Sequence, residues 1–185
     1  VNPAFVGNNR LSHRQKISII IDKIERNSNT KFLKQIALVA DIEDVRLNKI
    51  IYGLKQLSYG DEPKIHKIAG ILEIDFQQEL AFRKPYMDYK EIQQLHHDGF
   101  SIGSHSFDHP EFYEISQGEM QLQVEKSFSL IQSELNIQNK LFSFPFSDYK
   151  VPMSFFTYLT RNAEVDLSFG TAGLKYDVCK SHLQR

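Results

Sequence analysis

The sequence predicts an α/β fold, a parallel sheet built from βαβ units and preceded by a helical region. Three observations predict it. From about residue 11 to 82, apolar residues recur at helical spacing. From Tyr86 onward, strand-like and helix-like stretches alternate. The length, 185 residues, suffices for a real core in one domain, or in one domain with an appendage.

In the helical region, "KISIIIDKIE" places Ile17, Ile20, Ile21 and Ile24 on one stripe. "KFLKQIALVADIEDVRLNKIIYGLKQL" holds two helices, broken near Ala40 to Asp44. "DEPKIHKIAGILEID" opens on Asp61 as an N-cap, with Pro63 in the first turn. Beyond Tyr86, Asp88 and Glu91 form a capping box for a helix through about His97, which Gly99 ends. The strand "FSIGSH" follows. Ser116 and Glu119 cap a further helix, in which Met120, Val124, Phe128 and Ile131 recur near the helical period. "KLFSFPF" reads as a strand, "VPMSFFTYLTR" as a helix from Pro152, and "EVDLSFG" as another strand.

Charge narrows the function classes. Lys and Arg number 22 and Asp and Glu 23, for a formal charge of −1. A dedicated nucleic-acid binder would need a basic face, so no nucleic-acid partner is expected. No apolar stretch nears the ~20 residues of a membrane span, so no span is expected either. The start, "VNPAFVGNNRLSHRQK", has no basic head leading into an apolar stretch, and the compartment stays undecided between cytoplasm and cell envelope. Cys179 is the only cysteine, which excludes an internal disulfide and is read as a free or half-buried thiol.

"GFSIGSHSFDHPEF" carries the chemistry. His105 and His109 stand four positions apart, just beyond the C-terminal end of an expected parallel strand. In α/β folds the active sites gather at that end. Two imidazoles so placed can share one metal ion, and a catalytic site needs a third protein ligand besides. The competing reading is a capped turn with two solvated histidines. His96 and His97 are adjacent on a helix and cannot chelate one ion easily. His13, His66 and His182 stand alone and are expected to be surface or partly buried structural residues. Asp108 reads as a turn residue or as an acceptor orienting a ligand; Asp148 and Asp166 read as loop caps or edge residues rather than ligands.

"GFSIGSHSFDHP" resembles the second signature of the polysaccharide deacetylases, carbohydrate esterase family 4, in which His-Ser/Thr-x-x-His-Pro follows a strand. "LFSFPFSDY" is similar to the third signature, and "DLSFGTAG" falls where a later strand and loop would lie. The resemblance runs from about Tyr86 to Gly173. It implies a partial, distorted (β/α) barrel with a helical insertion near its N-terminus. On this reading the chain is a single incomplete domain over 1–185, with the insertion at about 11–82 and the βα units at 86–173.

The resemblance further implies a metal-dependent hydrolase removing acetyl groups from N-acetylated or O-acetylated saccharides. His105 and His109 would be metal ligands for a divalent ion, zinc first, with cobalt, nickel or manganese as alternatives. Pro145 and Phe146 would match the Pro-Tyr of the third signature and bind substrate, and the Phe146 backbone N–H would help hold the oxyanion. Two departures stand out. Ser143 occupies a place where the family often has an arginine, and nothing resembles the first signature, Thr-Phe-Asp-Asp. The carboxylate ligand and general base are therefore expected upstream of Val1, and the general-acid histidine downstream of Arg185. So incomplete a chain is expected to be nearly inactive and to self-associate through an open sheet edge. The alternative is a non-catalytic saccharide-binding or interaction module that keeps the fold without the chemistry.

Overall fold

In a computed structural model describing residues 1–27, 29–173, 175 and 177–184, the chain divides into two compact units. One is Arg10–Pro85; the other joins Val1–Asn9 to Tyr86–Arg185.

The described residues of Arg10–Pro85 form five α-helices: α1 (His13–Arg26), α2 (Thr30–Val39), α3 (Leu47–Gln56), α4 (Glu62–Ile71) and α5 (Phe76–Arg83). Ile17, Ile20 and Ile24 of α1 are buried as the periodicity requires, whereas Ile21 is only half-buried. Ile36, Ile50, Leu54, Ile65 and Ile68 are fully buried as well, where α1 packs on α3 and α4 and α2 on both of these. Lys16 of α1 is ion-paired to Glu62 of α4. Pro63 does lie in the first turn of α4. Asp61 does not cap that helix with its side chain; its carboxylate accepts the Ser58 N–H at 3.0 Å and closes a capping box on the preceding turn.

The second unit holds α6 (Tyr89–His97), α7 (Gln117–Leu135) and α8 (Met153–Arg161) around a small parallel sheet. Both expected capping boxes form. Glu91 N–H donates to Asp88 at 2.9 Å and Asp88 N–H to Glu91 at 2.8 Å; Glu119 N–H donates to Ser116 at 3.3 Å and Ser116 N–H to Glu119 at 2.8 Å. Gly99, at φ +94°, takes the chain out of α6.

The strands β1 (Leu141–Ser143), β2 (Leu167–Gly170) and β3 (His182–Gln184) lie in the order β1-β2-β3. β3 has no counterpart among the strands expected from sequence. The expected strand "FSIGSH" contracts to one bridge, Ser104 against Phe142, because Ser106 turns to φ +65° immediately after His105. Phe100, outside that pairing, is 60% exposed.

Register decides which face each side chain occupies. Ser104, Phe142, Ser168 and His182 are neighbours across the sheet and share one face. That face is covered by α7 and α8, through a core of Phe112, Val124, Phe142, Phe144, Phe155 and Leu159. His105, Ser143 and Phe169 point to the opposite face, which lines an open concavity of about 450 Å³ together with Leu141. No described helix is long and apolar enough to cross a membrane.

Candidate active site

His105 leaves the sheet at the C-terminal end of its bridge, and its loop is closed by short local bonds. The fully buried Ser106 hydroxyl accepts the His109 N–H at 3.0 Å. Asn2 donates to the carbonyls of His105 and Ser106, the latter at 3.2 Å. Both Ser106 and His109 adopt φ +65°, an uncommon backbone for residues with a side chain. These constraints bring the two half-buried imidazoles together, ring centroids 4.7 Å apart and planes at 69°.

The nitrogens matter more than the rings. His105 Nδ1 lies 2.7 Å from the Ser143 carbonyl oxygen, which can only accept, so Nδ1 carries the proton and Nε2 keeps its lone pair. That Nε2 is 3.1 Å from Nε2 of His109. With metal–nitrogen bonds of about 2.0–2.1 Å, this separation corresponds to an angle of roughly 95–100° at a shared ion. Two nitrogens so spaced are close enough for one divalent ion to reach both, and the Ser143 carbonyl orients one of the two rings. Ser143, expected only as a departure, supplies that carbonyl.

Phe146 stands over the pair, its ring centroid 4.5 Å from that of His109 and its residue 38% exposed. Its own backbone is at φ +55°, and Ser147 N–H donates to the Pro145 carbonyl at 2.6 Å across it. Pro145 is buried beneath. Of the acids weighed from sequence, Asp108 is turned to α7, where its carboxylate accepts Gln123 Nε2 at 2.7 Å. Asp166 accepts the Lys140 N–H at 2.7 Å.

The residues that sequence reasoning placed least well are His182 and Asp148. His182 does not stand alone. Its fully buried imidazole lies 2.8 Å from Ser168 Oγ through Nδ1 and 3.1 Å from Asp148 Oδ2 through Nε2. Among the described residues, Asp148, Asp177 and His182 form one group of ligand type able to hold a metal ion, their atoms within 4.8 Å of one another. Gln184 Nε2 sits among them, 2.7 Å from Asp148 Oδ2, 3.1 Å from Asp177 Oδ2 and 3.0 Å from His182 Nε2. Burial pushes the Asp148 carboxyl up, but the hydrogen bonds from Gln184, His182 and the Asp148 and Thr171 backbones outweigh it and hold the group below the usual carboxylate value.

Residues 77–162 match the family model described as Polysaccharide deacetylase. Over this segment the chain is similar to the polysaccharide deacetylases. The chain has no match among the curated proteins or the solved structures. The matched segment takes in α6, α7, β1 and α8, and with them His105, His109, Pro145 and Phe146. A domain of this family implies a hydrolase acting on a saccharide.

Proposed function

We propose that this chain carries part of the active site of a metal-dependent deacetylase acting on N-acetylated, or O-acetylated, saccharides. The observation that carries the reading is the approach of the two Nε2 atoms to 3.1 Å beneath Phe146, inside the matched segment. His105 and His109 would be the imidazole ligands. A divalent ion held there, zinc first and otherwise cobalt, nickel or manganese, would polarise an acetyl carbonyl and activate a water.

The chain's own residues do the rest of what is proposed. Ser143 fixes the His105 tautomer, and Ser106 fixes the backbone from which His109 projects. Pro145 and Phe146 would wall the acetyl group, with the Phe146 backbone N–H as oxyanion donor. Since Asp108 and Asp166 are engaged elsewhere, the reading takes the carboxylate ligand and the general base from polypeptide preceding residue 1. It also treats the small parallel sheet as one sector of a distorted (β/α) barrel, with the five-helix unit as an insertion. The edge of that sheet would pair with further polypeptide or with a second copy.

The test is acetate release from N-acetylated and O-acetylated oligosaccharides by the full gene product, with zinc or cobalt added. Activity abolished by His105→Ala and by His109→Ala, with loss of bound metal, is the expected result. Saccharide binding without acetate release would instead favour a binding module that retains the fold. If the protein releases no acetate and either substitution leaves bound metal unchanged, the deacetylase reading is wrong.

A further inference from the structure

We propose that the buried network of Asp148, His182 and Gln184 is a positioning device, holding the Pro145–Ser147 turn so that Phe146 stays against His109. This rests on the deacetylase reading given above, because the turn matters for function only if Phe146 serves the reacting acetyl group.

The turn needs holding. A three-residue turn closed from Ser147 N–H to the Pro145 carbonyl, around a phenylalanine at φ +55°, is a sparsely populated conformation for a bulky side chain. Such a conformation persists when its surroundings over-determine it. Here they do, in a connected chain of bonds. Thr171 Oγ1 donates to the Phe146 carbonyl at 3.2 Å, and Thr171 N–H donates to Asp148 Oδ1 at 3.3 Å. Asp148 Oδ2 in turn receives His182 Nε2 and Gln184 Nε2, both from β3. On the upstream side, Phe144 N–H donates to the Phe169 carbonyl at 3.0 Å, so the turn springs from the end of the sheet.

The protons can be followed through the network. Ser168 Oγ–H donating to His182 Nδ1 leaves the imidazole proton on Nε2, directed at Asp148. Gln184 uses both ends of its amide: Oε1 accepts the Ala172 N–H at 2.8 Å, and the two Nε2 protons go to Asp148 and Asp177. Gly170 makes room for this. A Cβ there would lie 2.4 Å from Gln184 Oε1 and 2.7 Å from Asp148 Oδ2. Gly170→Ala therefore pushes the network apart without touching either half of the histidine pair.

The experiment uses the full chain labelled for NMR. A strong intraresidue amide–Hα NOE marks the positive φ of Phe146, and NOEs between the Phe146 and His109 rings mark their contact. Both signatures are expected in the wild type, lost in Gly170→Ala and His182→Ala, and retained in His182→Gln, whose amide still donates to Asp148. In the active enzyme the first two variants should lower kcat roughly 10- to 100-fold with KM within about twofold. Persistence of both signatures in Gly170→Ala and His182→Ala overturns the proposal. If those variants do not fold, Thr171→Val, at an exposed position, decides it by the same two signatures. Loss of the signatures in a protein whose wild type releases no acetate from any acetylated sugar would discard the deacetylase reading and leave the control of the turn standing.

Discussion

Removing one imidazole of the pair is the perturbation that speaks most directly to the site. The Nε2 atoms are 3.1 Å apart, and about 2.0–2.1 Å from each locates a common point with an angle of roughly 95–100°. On the proposed reading an ion there would draw on both rings, so His109→Ala would remove a whole ligand. Losing a group that merely orients a ligand typically costs 10- to 100-fold in affinity. The loss for His109→Ala should therefore exceed about 100-fold, while Ser106→Ala, which removes the acceptor of the His109 N–H and a longer contact from Asn2 but no ligand, should fall inside about 10- to 100-fold. Competition between the protein and a chromophoric chelator for zinc or cobalt measures both, with thermal unfolding as the control for fold. Equal affinities for wild type and His109→Ala would refute the shared ion, and a Ser106→Ala loss as large as the ligand deletion would refute the division of roles.

Three further outcomes follow from the same geometry. Phe144→Ala empties a fully buried site ringed by Phe112, Phe142, Phe155, Phe156 and His182, and should cost about 3–5 kcal/mol, read from urea unfolding of the unit that contains it. Ser116→Ala opens the capping box of α7 and should cost about 1 kcal/mol in the same measurement. The Asp148 carboxyl is held below the usual aspartate value of 3.8 in the folded protein, so its contribution is fully present well above pH 4 and is lost as pH falls through the lower, folded value. Asp148→Asn should accordingly destabilise the protein at pH 7 more than at pH 3; an equal loss at both would show that the carboxylate charge plays no part.

Local signals carried much of this fold. The capping boxes at Asp88/Glu91 and Ser116/Glu119 are readable because donor and acceptor lie three residues apart, and both helices begin where those residues stand. The spacing of His105 and His109 is local in the same sense. What closes their loop, the Ser106 hydroxyl, was already in the motif, although its task is visible only once the backbone turns to positive φ. The Ser143 carbonyl was not readable at all, since a backbone acceptor has no side chain to announce it and it arrives from 38 residues away.

β3 was hidden for a stronger reason: its pattern is inverted. Period-2 reading looks for apolar residues facing inward, yet His182 and Gln184 are buried at 2% and 6% while Leu183 between them is 45% exposed. The inward positions are polar because they face other polar groups, Ser168 alongside and Asp148 at the strand ends, and each finds a hydrogen-bond partner there. Burial without partners would cost too much to persist, so a strand that buries His and Gln implies a network supplied from elsewhere in the chain. Of its other members, Asp177 lies 7 residues from Gln184, but Ser168 and Asp148 come from 14 to 36 residues away, and the parallel pairing of β2 with β3 sets Ser168 beside His182. The same inversion makes the network testable apart from the core. Leu183→Ser, on the exposed side, should change stability by less than about 0.5 kcal/mol, whereas Gln184→Leu, more apolar and by hydropathy alone the better strand residue, should destabilise by leaving the half-buried Asp148 and Asp177 short of a donor. Chemical unfolding of the two variants side by side measures this, and a Gln184→Leu protein as stable as the wild type would show that the network does not hold β3 in place.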